Sequence, residues 1–320
     1  MTAEPTHATA HAEQRRWLVG VDVGGTKIEA ALVDPDSEVR STARVPARRG
    51  EDNLVEDVVA VVREVAGSRL ADVAAVGIGT PGRVENDAGI VEHIVNLDVE
   101  AVALGPRVSG AIGVPVHVEN DVNAAALGAA RLLPEARGDG VVTFLNFGTG
   151  LAAGVIVDGE LCRGASGALG EVGHIPVDPN RFDCPCGQRG CLETVCSGAA
   201  VAKLWPVAGG EAAMPDLIIR AAQGEVEACR VLGMVKHAIG DVIQIVVQAL
   251  DPDVIIIGGG MSRTGEPLMR VIEDELSARE EPCPFLRGLH LADRLRLAPA
   301  DAPLGALGAA LSAGPAALSV

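Results

Sequence analysis

The chain opens on two apolar runs separated by a glycine-rich segment. Residues 17–21 are rich in strand-formers and lead into Asp22-Val-Gly-Gly-Thr-Lys27, and residues 28–33 follow, ending at Asp34-Pro35. Strand, glycine turn and strand predict a hairpin. The pattern returns 124 residues later: 141–145, then Asn146-Phe-Gly-Thr-Gly150, then 151–157 and Asp158-Gly159. Aligned, Asp22 falls on Asn146, Gly24 on Gly148 and Asp34 on Asp158. Such an internal repeat predicts two related halves.

Between the repeats the pattern predicts a helix over 52–66, a strand over 73–78, a loop region, a strand over 114–118, and a helix from Asn120 or Asp121 to about Leu133. Beyond the second repeat lies a Cys- and Gly-rich loop, 162–198. Two or three helices follow, the longest over 226–250, then a buried strand, 254–257, running into Gly258-Gly-Gly260. Helical patterns near 267–277 and 304–311 close the chain. Strands alternating with helices predict an α/β protein. Two such hairpins, facing each other across a cleft, would offer two phosphate loops to one nucleotide.

Composition narrows the function classes. With 320 residues, 48% of them hydrophobic and 22% charged, the chain has room for two domains, at about 100–200 residues each. A net charge of −17 argues against a nucleic-acid partner. Two Trp, four Phe and no Tyr supply no stacking platform for bases. Residues 1–16 are polar and small, which predicts a disordered lead without a secretory signal and a cytoplasmic protein. The charge-free stretch 302–320 contains Pro303 and Pro315 and predicts a small-residue helix packed on a domain rather than a membrane span.

Three of the seven Cys fall within eight residues, which favours a metal site over disulfides. His174, Cys184, Cys186 and Cys191 read H-x9-C-x-C-x4-C, donors of the kind that close a tetrahedral structural zinc site. Gly187 and Gly190 let the chain fold back between the second and third thiolates. Cys162, Cys196, Cys229 and Cys283 lack such spacing and are expected to be packing residues.

The glycine turns suit phosphate, because backbone N–H groups of Gly24, Gly25, Gly148 and Gly150 can line a concave nest with no Cβ in the way. Asp22 could hold Mg2+ through water, and Thr26 could donate a hydroxyl to phosphate. Either turn alone would read as a plain hairpin turn; their recurrence at equivalent places favours phosphate. Gly77-Ile-Gly-Thr-Pro-Gly82 matches a dinucleotide fingerprint, but Pro81 and the polar 83–89 follow where a helix should begin, so that reading is rejected. Asp121, in Glu119-Asn-Asp-Val-Asn123, sits after a strand and at a helix start. A hydroxyl-directed kinase needs a carboxylate to orient the attacking oxygen and take its proton. An N-cap is the equally good alternative for this position, and Asn120 as cap with Asp121 as base satisfies both. Glu171 and Glu193 flank the metal-ligand set, and carboxylates and imidazoles grip vicinal sugar hydroxyls. With one ring nitrogen of His174 on the metal, the other is free to donate to a sugar oxygen.

Together these residues resemble the ROK (repressor, open reading frame, kinase) family of sugar kinases and sugar-responsive repressors. The resemblance runs from Trp17 to about Leu311 through DVGGTKIEAALVD (22–34), GIGTPG (77–82), VENDVNAAALGA (118–129), GTG (148–150), GALGEVGH (167–174) and CPCGQRGCLE (184–193). It implies an actin-like ATPase (ribonuclease H-like) α/β fold, two domains around a cleft, and a homodimer, with a tetramer as the alternative. The expected division is 17–133 plus 302–320 as a smaller domain and 134–301 as a larger one with the zinc loop. Family position implies Asp121 as catalytic base. Gly82, Arg83, Asn96, Asn120, Glu171, His174 and Glu193 are implied on the sugar. Asp22, Gly24, Gly25, Thr26, Lys27, Gly148, Thr149, Gly150, Gly258 and Gly259 are implied on Mg–ATP.

The expected activity is ATP-dependent phosphorylation of a hexose 6-hydroxyl, with glucose first. Asn96-Leu97 continues into Asp98-Val99, where many glucokinase-like members have Pro and an aromatic. The stretch 82–93 resembles N-acetylmannosamine kinases. An amino sugar (kanosamine, N-acetylmannosamine or N-acetylglucosamine) is therefore the alternative substrate, and polyphosphate or ADP the alternative donor. Only 21 residues precede Asp22, too few for a repressor's helix-turn-helix domain. A non-catalytic sugar sensor is disfavoured by Asp22, Asp121 and both turns.

Overall fold

The computed structural model describes residues 17–314, so the expected lead over 1–16 and the end of the 302–320 stretch lie outside the described residues. Val, Ile and Leu runs make the strands, and the glycine segments turn them. In order the elements are β1 (Trp17–Val23), β2 (Lys27–Val33), β3 (Val39–Pro46), α1 (Glu51–Ala66), β4 (Val73–Thr80), β5 (Arg83–Glu85), β6 (Ile90–Ile94), β7 (Val99–Val102), α2 (Leu104–Ile112), β8 (Val116–Asn120) and α3 (Asp121–Leu132). Then come β9 (Val141–Phe147), β10 (Leu151–Val157), β11 (Glu160–Cys162), α4 (Glu193–Cys196), α5 (Gly198–Leu204), α6 (Ala213–Ala222) and α7 (Val226–Leu250). The chain closes with β12 (Val254–Gly258), α8 (Glu266–Glu280), α9 (Pro284–Arg287), β13 (Leu295–Leu297) and α10 (Leu304–Ala313).

The chain forms two compact units, one of residues 17–121 with 305–314, the other of 122–304. The first is built on a sheet in the order β3-β2-β1-β4-β8, the second on β11-β10-β9-β12-β13. In each, the first hairpin is antiparallel and the next strand runs parallel beside it: β1 with β2 and β4, β9 with β10 and β12. The repeat is therefore one of topology. The register corrects its alignment beyond the turn. Val23 pairs with Ile28, whereas Phe147 pairs with Leu151, so the second turn is one residue shorter and Asp34 does not fall on Asp158. Asp34 instead ties its own β2–β3 turn, its Oδ1 accepting from the N–H groups of Asp36 and Glu38 at 2.9 and 3.0 Å.

In the first unit α1 lays Leu54, Val58, Val61 and Val62 on Val19, Val21 and Ile28. These valines are poor helix-formers, so burial rather than propensity holds α1. Helix α10 lies so close to β1 and β4 that a Cβ on Gly20 or Gly77 would sit 1.7 or 1.6 Å from the carbonyl oxygens of Ala306 and Ala309. The region expected to be loop, 79–113, instead carries a small sheet in the order β5-β6-β7 and helix α2. Its strands are three to five residues long, and burial along the two longer ones does not alternate, so no two-residue period marks them in the sequence.

In the second unit the central sheet is covered on both faces. Leu145, Phe147, Ile255 and Ile257 face the cluster under α6, α7 and α8, while Val142, Phe144, Val254 and Ile256 face the one under α3. That is why the strand 254–257 reads as an unbroken apolar run. Expectation placed 122–133 in the first domain, but after Asp121 helix α3 belongs to the second unit. A Cβ on Gly154 of β10 would lie 2.6 Å from the Ala126 Cβ, and Ala129 and Ala130 join the same cluster. Helix α7 is long and apolar enough to cross a membrane by length and composition, and its buried side is part of the second unit's core.

Candidate active site

In the first unit three parallel strands end together. Asp22 of β1 lies opposite Gly79 of β4, and Gly79 and Thr80 lie opposite Glu119 and Asn120 of β8. The carboxyl ends of parallel strands are where α/β proteins gather ligand groups, and here they place Asp22 beside the start of α3. Burial, then the Asp121 and Glu29 carboxylates, push the Asp22 carboxyl up to about 7, with Lys27 pulling the other way. Its carboxylate also presses on the first turn of α10, where a Cβ on Gly305 would lie 2.6 Å from the Asp22 Cγ.

The first glycine turn is closed by Gly24 N–H donating to Lys27 O at 3.0 Å, with Gly25 and Thr26 exposed. Asn96 packs against it, its Cβ 3.2 Å from where a Gly25 Cβ would be. Lys27 points along the strand to Glu29 at 3.7 Å, and Glu29 is paired with Arg44 at 2.7 Å. Gly82 (φ 95°) must be glycine, since a Cβ would meet Glu92 O at 2.5 Å. Arg83 pairs with Glu92 at 3.3 Å on the exposed small sheet. The segment 77–82 runs strand, turn, strand, with no helix opening in it, as its rejection as a dinucleotide motif requires.

In the second unit Gly148 N–H donates to Gly150 O at 3.0 Å. Asn146, the counterpart of Asp22, lays its side chain between the turn and Gly259. Its Nδ2 lies 3.3 Å from a Gly148 Cβ position and its Oδ1 2.6 Å from that of Gly259. Gly258 is required because a Cβ would strike the Phe144 ring, and Gly259 because of its φ of 82°. Glu193, at the start of α4, accepts Leu151 N–H on Oε2 at 2.9 Å. The metal loop and the second glycine turn therefore meet.

His174, Cys184, Cys186 and Cys191 converge, their donor atoms all within 4.8 Å of one another. Cys184 Sγ lies 3.7 Å from His174 Nδ1, and Cys186 Sγ 3.7 Å from Cys191 Sγ. A tetrahedron with metal–sulfur bonds of about 2.3 Å has edges of about 3.8 Å, so the set fits such an ion. Gly187 (φ 93°) and Gly190 (φ 86°) turn the loop, and Cys184 N–H donates to Gln188 O at 2.9 Å. The backbone N–H and side chain of Gln188 pull the Cys186 thiol down to about 6. Glu171 is exposed at the head of the short turn that carries His174.

A model of the ROK family matches residues 18–311. This chain is a ROK-family protein. Among its relatives, a glucokinase of Halalkalibacterium halodurans is 30% identical over 292 residues, covering 83% of this chain and 87% of its own length. An N-acetylmannosamine kinase of Salmonella typhimurium is 32% identical over 305 residues, covering 92% and 97%. A ROK glucokinase from Streptomyces griseus, solved with glucose and AMPPNP, is 30% identical and superposes with a TM-score of 0.74, covering 93% and 99%. The ROK fold is that of the actin-like ATPases, and the expectation of that fold holds.

Within this ROK framework the first unit groups Asp22, the 24–27 turn, Asn96, Asn120 and Asp121. The second groups the 148–150 turn, Gly258, Gly259, Glu193 and the metal ligands. Arg83 stands apart in its ion pair with Glu92. Of the four remaining cysteines Cys196 is buried, but Cys229 is exposed on the outer face of α7, so its expected packing role is corrected. Sequence reasoning missed Gly305 and the work of Asn146. Gly305 lies 283 residues from the carboxylate it admits, with no local signal, whereas the repeat alignment already marked Asn146.

Proposed function

We propose that this chain transfers the γ-phosphoryl group of ATP to the 6-hydroxyl of a hexose, with glucose as first substrate. The observation that carries this is the placement of Asp121 at the strand ends with Asp22 and the first glycine turn, a base beside a phosphate nest. In this reading Asp121 orients the sugar hydroxyl and takes its proton. Asn96, Asn120, Glu171, His174 and Glu193 grip the other hydroxyls, with Gly82 and Arg83 at the edge of that site. The N–H groups of 24–27 and 148–150, with the Thr26 and Thr149 hydroxyls and the Lys27 ammonium, receive phosphate. Gly258 and Gly259 admit the adenosine side. Asp22 would hold Mg2+ through water, and the ion supplies neutralisation of the phosphate charge. Zn2+ on His174, Cys184, Cys186 and Cys191 would be structural, fixing the imidazole and Glu193.

The second reading is an amino-sugar kinase, favoured by the match to N-acetylmannosamine kinase along nearly its whole length. We further propose a cytoplasmic homodimer. The test is coupled ADP release with Mg–ATP against glucose, mannose, fructose, kanosamine, N-acetylmannosamine and N-acetylglucosamine. Turnover led by one sugar supports the kinase and names its substrate. Background rates with ATP, ADP and polyphosphate alike would overturn it in favour of a sugar sensor.

A further inference from the structure

The last residues of β8 are held from the side by the turn between β5 and β6. Asn86, between β5 and β6, donates from Nδ2 to Val118 O at 2.9 Å and to Glu119 Oε2 at 3.2 Å. The other oxygen of Glu119, Oε1, accepts Asn120 N–H at 2.9 Å. His117 Nε2, which has no hydrogen-bond partner among the described residues, lies 3.8 Å from Glu119 Oε2. The Glu119 side chain is 1% exposed, so nothing from solvent substitutes for these contacts. The hairpin is itself anchored, with Gly105 N–H of α2 donating to Gly89 O at 2.9 Å.

The chemistry of this arrangement is specific. A carboxylate accepts at both oxygens, and an Asn amide donates twice from one nitrogen. Glu119 and Asn86 use these capacities to join the β5–β6 turn to the backbone on either side of residue 119. Residue 121, two positions on, inherits that placement. We propose that Asn86 and Glu119 are positioning residues that set where Asp121 stands, so that the β5–β6 hairpin acts on catalysis through the strand rather than through the substrate. This rests on Asp121 as the base. Its weight is kinetic, since a misplacement of about 1 Å at a reacting group costs on the order of a hundredfold in rate.

The experiment compares Asn86→Ala, Asn86→Asp, Glu119→Gln and the double variant Asn86→Ala/Glu119→Gln with the wild-type chain. Asn86→Ala is expected to lower kcat about tenfold with the KM for Mg–ATP within twofold. Asn86→Asp keeps the shape but not the donors and should be no better. Glu119→Gln keeps an acceptor for Asn120 N–H and loses the Asn86–Glu119 bond but not the one to Val118 O, so the double variant should be no worse than Asn86→Ala alone. Hydrogen exchange, independent of activity, should rise over 116–122 in Asn86→Ala. Wild-type kcat in Asn86→Asp, additive losses, or unchanged exchange would each overturn the clamp. Should Asn86→Ala fail to fold, Glu119→Gln still removes the Asn86–Glu119 bond, with the Val118 bond left in place, and a wild-type kcat in it would overturn the clamp. A wild-type chain that phosphorylates no hexose sinks the kinase reading, while exchange still decides the clamp.

Discussion

Asp22 keeps a desolvated carboxyl next to two others, and its titration has consequences for stability. Its value is raised from 3.8 to about 7, so the folded chain holds a proton that the unfolded chain releases. Stability from this group is present below the unfolded value and is lost as pH rises through about 7. Asp22→Asn removes that dependence. In thermal melts without nucleotide, the variant's advantage over wild type should grow steadily between pH 4 and pH 8, by at most about 4 kcal/mol. Equal pH dependence in the two proteins would contradict the assignment. Asp121→Ala, by contrast, is expected to lower kcat by about 10²–10⁴ while leaving sugar affinity measured by calorimetry largely intact. Near-normal turnover would remove Asp121 as the base.

Among the elements, the metal loop and α10 make opposite demands on the sequence. The loop announces itself, because thiolates and glycines within a short stretch have few other uses, and the four donors converge as the spacing implies. Cys186→Ala should lose stoichiometric zinc by metal analysis and lower kcat/KM for the sugar at least about tenfold. Unchanged metal content would refute the ligand set. Helix α10 was legible as a helix, but not why β1 and β4 carry Gly20 and Gly77, because the reason is a backbone packed on them from the far end of the chain. Gly77→Val should cost at least about 1–3 kcal/mol in urea unfolding, since the side chain has nowhere to go. The small sheet is hidden for a different cause: its strands are short, and burial along the two longer ones does not alternate.

On the scale of the whole molecule, the chain leaves the first unit after Asp121 and returns to it at Gly305. The length leaves room for two domains, and the repeat predicts two halves with a hairpin in each. The crossing point was misplaced because α3 carries small residues whose partners, on β9 and β10, are chosen only in three dimensions. The return predicts a non-local dependence. Truncation after Asp301 should unfold the first unit, which loses α10 from β1 and β4, while the second unit keeps its protease resistance. Limited proteolysis with mass spectrometry would show it. A truncated chain whose two units resist protease equally would deny that α10 belongs to the first.

The hydrogen bond from Leu151 N–H to Glu193 joins the loop that would hold zinc to the turn that would hold phosphate. Two sites sharing a mechanical link obey reciprocity: whatever free energy metal lends to nucleotide binding, nucleotide must lend back to the metal. A kinase built in this way would bind its phosphoryl donor more weakly once a chelator strips the loop. Calorimetry of nucleotide binding before and after chelation would show that loss as the mirror image of weaker metal retention without nucleotide.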